Sequence, residues 1–485
     1  MKDSMKNNKE KKSLLQTVKA SFSGRKFRSG AYVTLISTIV VVIVLVVNML
    51  VTKMNIQFDL STQNMYTLSK DTKGMIKDLK DDITIYYMIQ PGNETAVYQE
   101  IADKYDTLSD KITLESKDPV LYPTFAAKFV DDEVAENSFI VVNNTNGRAK
   151  YIDGNEMLVQ ELNYETYQNE TKGIDVEGKL TSAIQYVTTT DLPVMYVVEG
   201  HGEAAIGDAF NASMDKMNIT VQTLKTMSQS SIPEDCDILY INSPETDFSA
   251  EETAMVKDYL KAGGKAMVTL DYQAEGLDNF KSILDYYGIE MENGIVMEGD
   301  ANMHLTNNPH FLVPSISNHE ITTQVESNKI PVIMPISSGL QISDTKRSSL
   351  KVDPILSTSD KAYAKEGTSF TTYEKENGDI DGPFYLGLAA TDTYNDITTN
   401  LVVYSTEAMF DESTSTYGNA AILSGTIRFL SGDAAPLSIP TKSVVPEMIQ
   451  LTQQQAIFWG AMVVIIIPVL ILFAGVMVSL RRRKR

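Results

Sequence analysis

Two uncharged apolar stretches near the ends of the chain constrain its architecture more than any other feature. Residues 30–52 and 456–480 contain no charged side chain. At about 1.5 Å per residue, each is long enough as a helix to cross a hydrocarbon core of roughly 30 Å. The first stretch is longer than the apolar part of a signal peptide, and no small-x-small cleavage pattern follows it. The sequence therefore predicts two uncleaved transmembrane helices with residues 53–455 on one side of the membrane.

Charge indicates which side that is. Residues 1–29 carry nine Lys and Arg side chains against Asp3 and Glu10, and residues 481–485 are all basic. The positive-inside rule places both of these tails in the cytoplasm and residues 53–455 outside the cell membrane. The chain has a net charge of −21 and the tails contribute +7 and +5, so the segment between them carries −33. A surface of that sign repels nucleic acid, and nucleic-acid binding is excluded.

Residues 53–172 alternate between short apolar runs and amphipathic stretches, which predicts a small α/β domain. Ser69 is a candidate N-cap for its first helix. Further helices are expected near 97–108 and 125–130, and strands near 83–89, 112–115, 138–143 and 148–152.

Residues 173–437 are predicted to form a second, doubly wound α/β domain. A helix at 173–189 leads into it, and the continuous apolar run at 193–198 is typical of a strand buried on both faces. Strand and helix then alternate up to residue 270, which predicts a parallel sheet. A turn-rich region at 271–378 follows, after which strands near 386–390 and 400–405 and a helix at 419–430 are expected to complete the same sheet. Residues 438–455 are expected to be a tether into the second span.

Gly200, His201, Gly202 and Glu203 form the sharpest candidate site. They follow the run at 193–198, where the carboxyl end of a parallel strand is the usual place for a ligand. A histidine and a glutamate in a glycine-rich turn can bind a metal or a partner, or transfer protons. The alternative is structural: His201 forms a hydrogen bond across the turn and Glu203 caps the next helix. The sequence places no further ligand nearby.

Residues 173–179 match the first part of a phosphate-binding loop, G-x-x-x-x-G-K. The next position should be Ser or Thr to hold magnesium, and it is Leu180. Cys236 is the only cysteine, which excludes an intramolecular disulfide and a thiolate metal cluster. The sequence therefore predicts neither a cofactor nor a metal, and any ATP must be hydrolysed by another chain.

Short motifs run in a fixed order from the first apolar stretch to the last. They are Met65-Tyr66-Thr67-Leu68-Ser69 with Thr72, then Glu177-Gly178-Lys179-Leu180-Thr181, Gly200-His201-Gly202-Glu203, Ile232-Pro233-Glu234-Asp235-Cys236, Asp258-Tyr259-Leu260, Gly263-Gly264-Lys265, Gly418-Asn419-Ala420 and Ile439-Pro440. With this set the chain resembles the GldG-like auxiliary components of ABC-2-type transporters, the gliding-motility-type ABC transporter auxiliary family. The resemblance implies a thioredoxin-like small domain followed by a flavodoxin-like domain similar to class I glutamine amidotransferases. The chain departs from related folds in offering no cysteine or serine nucleophile after a strand.

The resemblance implies a non-ATPase, non-enzymatic accessory subunit of a bacterial ABC-2-type transporter. Its partners would be an ABC permease, an ABC ATPase and membrane lipid, and its exterior domains would contact the substrate or envelope partners. The residues themselves, rather than the resemblance, make the turn at Gly200–Glu203 the candidate for a ligand or partner contact. Neither apolar stretch carries an ionisable residue, so the chain alone offers no substrate pathway. Two alternatives stay open. One is a membrane-tethered envelope ligand-binding or sensing module that is independent of transport. The other is a tethered hydrolase that uses His201 and Glu203.

Overall fold

A computed structural model describes most of the chain between residues 25 and 444. The described residues are 25–53, 59, 61, 64–130, 134–163, 168–272, 276–367, 372–415, 417–432, 437, 439–444, 462 and 468. They divide into two compact units, Met1–Met65 and Tyr66–Arg485.

The first unit contains the helix α1, Arg25–Lys53, which covers the first apolar stretch. Over the residues that the structure describes, no helix combines the length and the apolar character that crossing a membrane requires. The second predicted span lies outside the described residues, apart from two isolated positions. Both transmembrane helices therefore stay predictions.

The second unit contains the remaining helices and all of the described strands. Its helices are α2 Lys70–Asp78, α3 Ala96–Leu108, α4 Pro123–Ala126, α5 Val176–Thr188, α6 Asp208–Lys216, α7 Ala250–Lys261, α8 Asp278–Tyr286, α9 Thr323–Asn328 and α10 Asn419–Ser431. Its strands are β1 Ile83–Met88, β2 Ile112–Lys117, β3 Ser138–Asn143, β4 Ala149–Ile152, β5 Leu158–Asn163, β6 Gln168–Ile174, β7 Val194–Glu199, β8 Thr220–Lys225, β9 Ile238–Asn242, β10 Lys265–Thr269, β11 Ile289–Glu292, β12 Ile295–Met297, β13 His304–Leu305, β14 Asn308–Leu312, β15 Ser315–Ile316, β16 Met334–Pro335, β17 Gly339–Ile342, β18 Leu350–Ser357, β19 Tyr363–Lys365, β20 Ile380–Asp381, β21 Tyr385–Tyr394, β22 Ile397–Tyr404 and β23 Lys442–Ser443.

A four-stranded sheet of order β2-β1-β3-β4 forms the centre of the small region. Strand β1 pairs parallel with β2 and antiparallel with β3, and β4 is antiparallel to β3. Ser69 caps α2 by accepting a hydrogen bond from the Thr72 backbone N–H, which confirms the predicted helix start. The apolar side chains of α5 lie in this core although the sequence placed that helix in the second domain. The structure thus confirms a mixed α/β region here.

A ten-stranded sheet forms the centre of the large region, and only part of it is parallel. Its order is β11-β17-β21-β22-β10-β9-β7-β8; in addition, β18 pairs with β21 and β15 pairs with β18. Strands β22, β10, β9, β7 and β8 are mutually parallel, whereas β21, β17, β18 and β11 are antiparallel additions. The expectation of a parallel sheet is wrong for the part of the sheet that contains β21, β17, β18 and β11. Strands β21 and β22 are joined by Asn395 and Asp396, both at positive φ, and a two-residue turn of this kind requires an antiparallel hairpin.

Strand β7 confirms the buried strand predicted from its continuous apolar run. Met195 and Val197 lie in the core cluster on one side of the sheet, and Tyr196 and Val198 lie in the cluster on the other. The sheet is therefore covered on both faces at this strand, which fixes the turn at its carboxyl end.

The turn-rich region forms short strands, including the small sheets β12-β19-β20 and β13-β14-β16. The region expected to be a tether also forms a strand, because β23 pairs antiparallel with β6. Ile439, just before that strand, is buried. Part of the segment 438–455 is thus packed on the folded unit.

Candidate functional site

The backbone of the turn after β7 requires glycine at two positions. Gly200 has φ +131° and Gly202 has φ +79°, both in the region that side chains with a Cβ rarely adopt. A Cβ on Gly202 would also lie 3.0 Å from Oε2 of Glu245. The carbonyl oxygen of His201 accepts hydrogen bonds from the backbone N–H groups of Glu245 and Thr246, which follow β9. The turn is therefore fixed to the neighbouring loop at the carboxyl edge of the sheet.

His201 is buried at this edge between two carboxylates. Its Nδ1 lies 3.2 Å from Oε1 of Glu203 and its Nε2 lies 3.3 Å from the carboxylate of Glu252. The ring also packs on Phe248, with centroids 4.3 Å apart. Both nitrogens donate to these acids at once only when the ring is an imidazolium. The arrangement is thus a buried cluster of one imidazole ring and two carboxyl groups.

Glu203 stabilises its own turn and does not cap the next helix. Its Oε2 accepts hydrogen bonds from the backbone N–H groups of Gly200 at 2.9 Å and His201 at 2.8 Å. The N-cap of α6 is Gly207, with no side-chain capping bond. The structural alternative drawn from the sequence is correct in predicting that His201 is hydrogen-bonded at the turn. It is wrong in predicting that Glu203 caps the next helix.

Glu252 is the member of the cluster that sequence reasoning missed. It lies in the first turn of α7 and forms a capping box with Ser249. It also accepts a hydrogen bond of 2.7 Å from Oγ1 of Thr226. Burial opposes ionisation, but the bonds from Thr226 and Ser249 and the nearby His201 lower the pKa of Glu252 to about 2. The Ser-x-x-Glu pattern before a helix was the signal that would have drawn attention to it.

The geometry limits what His201 does chemically. Each ring nitrogen is engaged by a carboxylate, so proton transfer to a substrate or binding of a metal requires one of these contacts to break. No group of three or more His, Cys, Asp or Glu side chains suited to a metal occurs among the described residues. What the turn presents to solvent is the backbone of Gly200 and Gly202, beside Met227, whose side chain is 73 % exposed.

A second cluster joins motifs that are far apart in sequence, and we call it the Glu177 junction (Thr67, Ser69, Thr72, Glu177 and Lys442). Oε1 of Glu177 accepts bonds from the Ser69 backbone N–H at 2.6 Å and from Oγ1 of Thr72 at 2.7 Å. Oε2 lies 2.7 Å from Nζ of Lys442, which also donates to the carbonyl oxygen of Thr67 at 2.7 Å.

Glu177 is only 3 % exposed. Burial would raise the pKa of its carboxyl, but Lys442, Ser69 and Thr72 together lower it, so the junction holds an ionised pair. Residues at the start and near the end of the segment between the two predicted spans are thus joined at one buried carboxylate.

The phosphate-loop-like stretch serves this packing. A Cβ on Gly178 would lie 2.2 Å from Oδ1 of Asp175, so the glycine leaves room for the ion pair of Asp175 with Lys216 at 2.8 Å. Lys179 pairs with Glu156 at 2.8 Å. The G-x-x-x-x-G-K spacing is therefore explained by contacts within the fold.

Cys236 lines an open cleft of about 590 Å³ at the amino ends of β9 and β10. Its thiol lies 3.5 Å from the hydroxyl of Tyr259. Burial raises the pKa of the Cys236 thiol to about 11, so it stays protonated near neutral pH and is a poor nucleophile.

Comparison with known proteins gives two family matches. Residues 192–383 match a family described as an ABC-type uncharacterized transport system, and residues 62–155 match a domain of unknown function. The first match covers the turn at Gly200–Glu203 and supports an auxiliary family of ABC transporters, with an accessory role in an ABC transport system. No protein with a curated description matches the chain.

Solved structures show only distant similarity. The mmIFT52 N-terminal domain is 19% identical, with 50% of this chain and 98% of that chain covered and a TM-score of 0.37. A ThuA-like protein from Bacteroides uniformis ATCC 8492 is 12% identical, with coverages of 50% and 91% and a TM-score of 0.30. PurLQS from Thermotoga maritima is 9% identical, with coverages of 49% and 99% and a TM-score of 0.25. These TM-scores support no inference about activity.

Proposed function

We propose that the chain is a non-ATPase accessory subunit of a bacterial ABC-2-type transporter of the GldG-like kind. The observation that carries this proposal is the match of residues 192–383 to an ABC-type transport system. ATP hydrolysis and the substrate pathway belong to separate ATPase and permease chains, because residues 173–179 lack the Ser or Thr that binds magnesium and are occupied by structural contacts.

The subunit is anchored in the cell membrane by two helices, with both termini cytoplasmic and residues 53–455 outside. Support comes from α1, whose large apolar side chains at positions 35, 36 and 39–47 are all exposed. A helix that is apolar on every side is normally covered by lipid or by other protein. The basic residues that flank both apolar stretches give the orientation.

Topology is tested with single cysteines in a Cys236→Ser background. A membrane-impermeant maleimide is expected to label Thr306→Cys in intact cells and to label Ser13→Cys only after the cells are permeabilised. Thr306 is suitable because it is exposed in the turn between β13 and β14. Labelling of Ser13→Cys in intact cells contradicts the orientation.

The exterior contact surface is the Gly200–Glu203 turn together with Met227. Glycine backbone and an exposed methionine beside it form a surface that a partner approaches closely, while His201 and the two glutamates hold the turn rigid. The partner is an exterior part of the transporter or a cell-envelope component.

Affinity purification of the full chain in mild detergent tests both statements. The wild-type chain is expected to recover an ABC permease and an ABC ATPase. Met227→Glu is expected to weaken that recovery, whereas Tyr394→Glu serves as the matched control, because Tyr394 is 68 % exposed on the β21–β22 hairpin. Recovery of the chain without either transporter subunit contradicts the accessory role and favours a tethered ligand-binding or sensing module. Equal recovery with both variants contradicts an exterior part of the transporter as the partner of this surface and leaves the cell-envelope component.

A further inference from the structure

The Glu177 junction identifies which side of the exterior unit faces the membrane. Thr67 follows the first predicted span with 14 residues between them, and Ser443 precedes the second with 12 residues between them. Lys442 binds both the carbonyl oxygen of Thr67 and the carboxylate of Glu177, so the two ends of the unit leave it at one point. Under the anchoring proposed above, both ends return to the same bilayer, and this favours that point as the membrane side of the unit.

Helix α2 begins at this point. Ser69, which donates to Glu177, is its N-cap, and Thr72 in its first turn also binds Glu177. The buried side chains of this helix are Thr72 and Ile76. The position and orientation of α2 beside the junction are therefore fixed by buried hydrogen bonds.

Three exposed lysines form one flank of α2. Lys70, Lys73 and Lys77 are spaced i, i+3 and i+7, which places them within a sector of about 60° at 100° per residue. None of the three forms an ion pair with a carboxylate in the described part of the chain. Asp71 and Asp78 lie on the opposite flank of the exposed side. We call these three side chains the lysine face.

The lysine face stands out against the charge of its surroundings. The segment between the two tails carries −33, and a surface of that sign is repelled by anionic lipid headgroups. A negatively charged unit held near anionic lipid is least repelled when its basic side faces the lipid. Unpaired lysines at the point where both anchors leave the unit meet that requirement.

We infer that the lysine face of α2 docks on anionic phospholipid headgroups. The inference rests on the membrane anchoring proposed above and adds to it the orientation of the exterior unit and the lipid class that it contacts. Each ammonium group lies close to a lipid phosphate, which attracts it electrostatically.

The test uses the full chain reconstituted in lipid nanodiscs. One set contains phosphatidylcholine alone, and the other contains phosphatidylcholine and phosphatidylglycerol in equal parts. Lysine acetylation by a water-soluble ester is followed at each position by mass spectrometry. Lys70, Lys73 and Lys77 are expected to react at least about fivefold more slowly in the anionic discs, the factor for one lysine at an anionic surface. High salt is expected to remove the difference. Lys351, whose side chain is 75 % exposed on β18, is the control and is expected to react equally in both.

A second measurement reports orientation and does not depend on lysine chemistry. Energy transfer is measured from a donor on Lys80→Cys, in a Cys236→Ser background, to labelled headgroups. The triple change Lys70→Gln, Lys73→Gln and Lys77→Gln is expected to lower the transfer in anionic discs to the value in neutral discs. The same loss of charge at exposed Lys225, Lys329 and Lys351 is expected to leave it unchanged.

The outcomes separate the two proposals. Failure of the chain to co-elute with nanodiscs contradicts the anchoring itself. Co-elution with equal acetylation rates in both lipids overturns the lysine-face inference and leaves the anchoring standing. Protection that arises only when permease and ATPase are added assigns the face to a partner protein, and this also overturns the inference.

Discussion

Replacing Glu177 by alanine is the most direct perturbation of the junction. The change removes an acceptor for the Ser69 backbone N–H and the Thr72 hydroxyl, and it leaves the ammonium group of Lys442 with the carbonyl oxygen of Thr67. Removal of one partner from a buried ion pair costs about 3–5 kcal/mol. The side chains of Glu177 and Lys442 are 3% and 14% exposed, so some water reaches the lysine and the lower end applies. We expect a loss of about 3 kcal/mol.

Amide hydrogen exchange in the full chain is the assay, because it measures local opening without assuming that the whole chain unfolds at once. A loss of about 3 kcal/mol corresponds to exchange roughly 100-fold faster in α2 and β23. The buried strand β9 lies in a different sheet and is expected to exchange at the wild-type rate.

Lys179→Met is the matched control, since it breaks the neighbouring ion pair with Glu156 at a similar distance, 2.8 Å against 2.7 Å. That pair is 29% and 61% exposed, and such a surface pair contributes less than about 1 kcal/mol. Lys442→Met together with Glu177→Ala is expected to cost less than the sum of the single changes, by at least about 1 kcal/mol. The reasoning is refuted if Glu177→Ala accelerates exchange no more than Lys179→Met does.

Four further predictions concern single residues. The pKa of Glu252 is about 2 in the folded chain against an ordinary 4.5, which is worth about 3 kcal/mol. This stability is fully present above pH 4.5 and is lost as the pH falls towards 2. In the wild-type chain, amide exchange in α7 is therefore expected to speed up over this pH range. In Glu252→Gln, the exchange rate in α7 is expected to lack this acid-induced increase. Gly202→Ala is expected to destabilise the turn by about 1 kcal/mol, because φ is +79° and the new Cβ meets Glu245. Faster amide hydrogen exchange in the residues that follow β7 would measure this loss. Gly74→Ala, in the exposed middle of α2 with no atom near its Cβ, is expected to stabilise that helix by up to about 1 kcal/mol, and destabilisation there would contradict the assigned backbone. Cys236, with a thiol pKa of about 11, is expected to react with iodoacetamide much more slowly in the folded chain than after denaturation, and equal rates would contradict its burial.

Local patterns in the sequence were sufficient to locate the strands of the four-stranded sheet and the parallel strands of the large sheet. Residues 138–143 were predicted with the bounds of β3, and the apolar run that became β7 has side chains in both cores. The N-cap at Ser69 was also correct. These features depend on side chains within a few positions of one another, which is the range over which periodicity and capping operate.

Contacts between distant parts of the chain were not predictable in this way. The parallel expectation failed at β21 because the signal for a hairpin, Asn395-Asp396, was not recognised as a turn. Glu252 lies 51 residues from His201, and Lys442 lies far from Glu177 along the chain. Pairs of this kind follow from tertiary packing, which a single sequence does not reveal.

The meeting of Ser69, Thr72 and Lys442 at Glu177 also determines how mechanical load would enter the folded unit if both predicted spans lie in the membrane. The two linkers of 14 and 12 residues extend to at most about 50 Å and 43 Å. If a permease changed the lateral distance between the two membrane helices, tension would rise in linkers that end on the same carboxylate. The load would then reach the contact of Lys442 with Thr67 and Glu177 before any strand of the ten-stranded sheet. The sheet and the turn at Gly200–Glu203 would stay intact while this one contact yields.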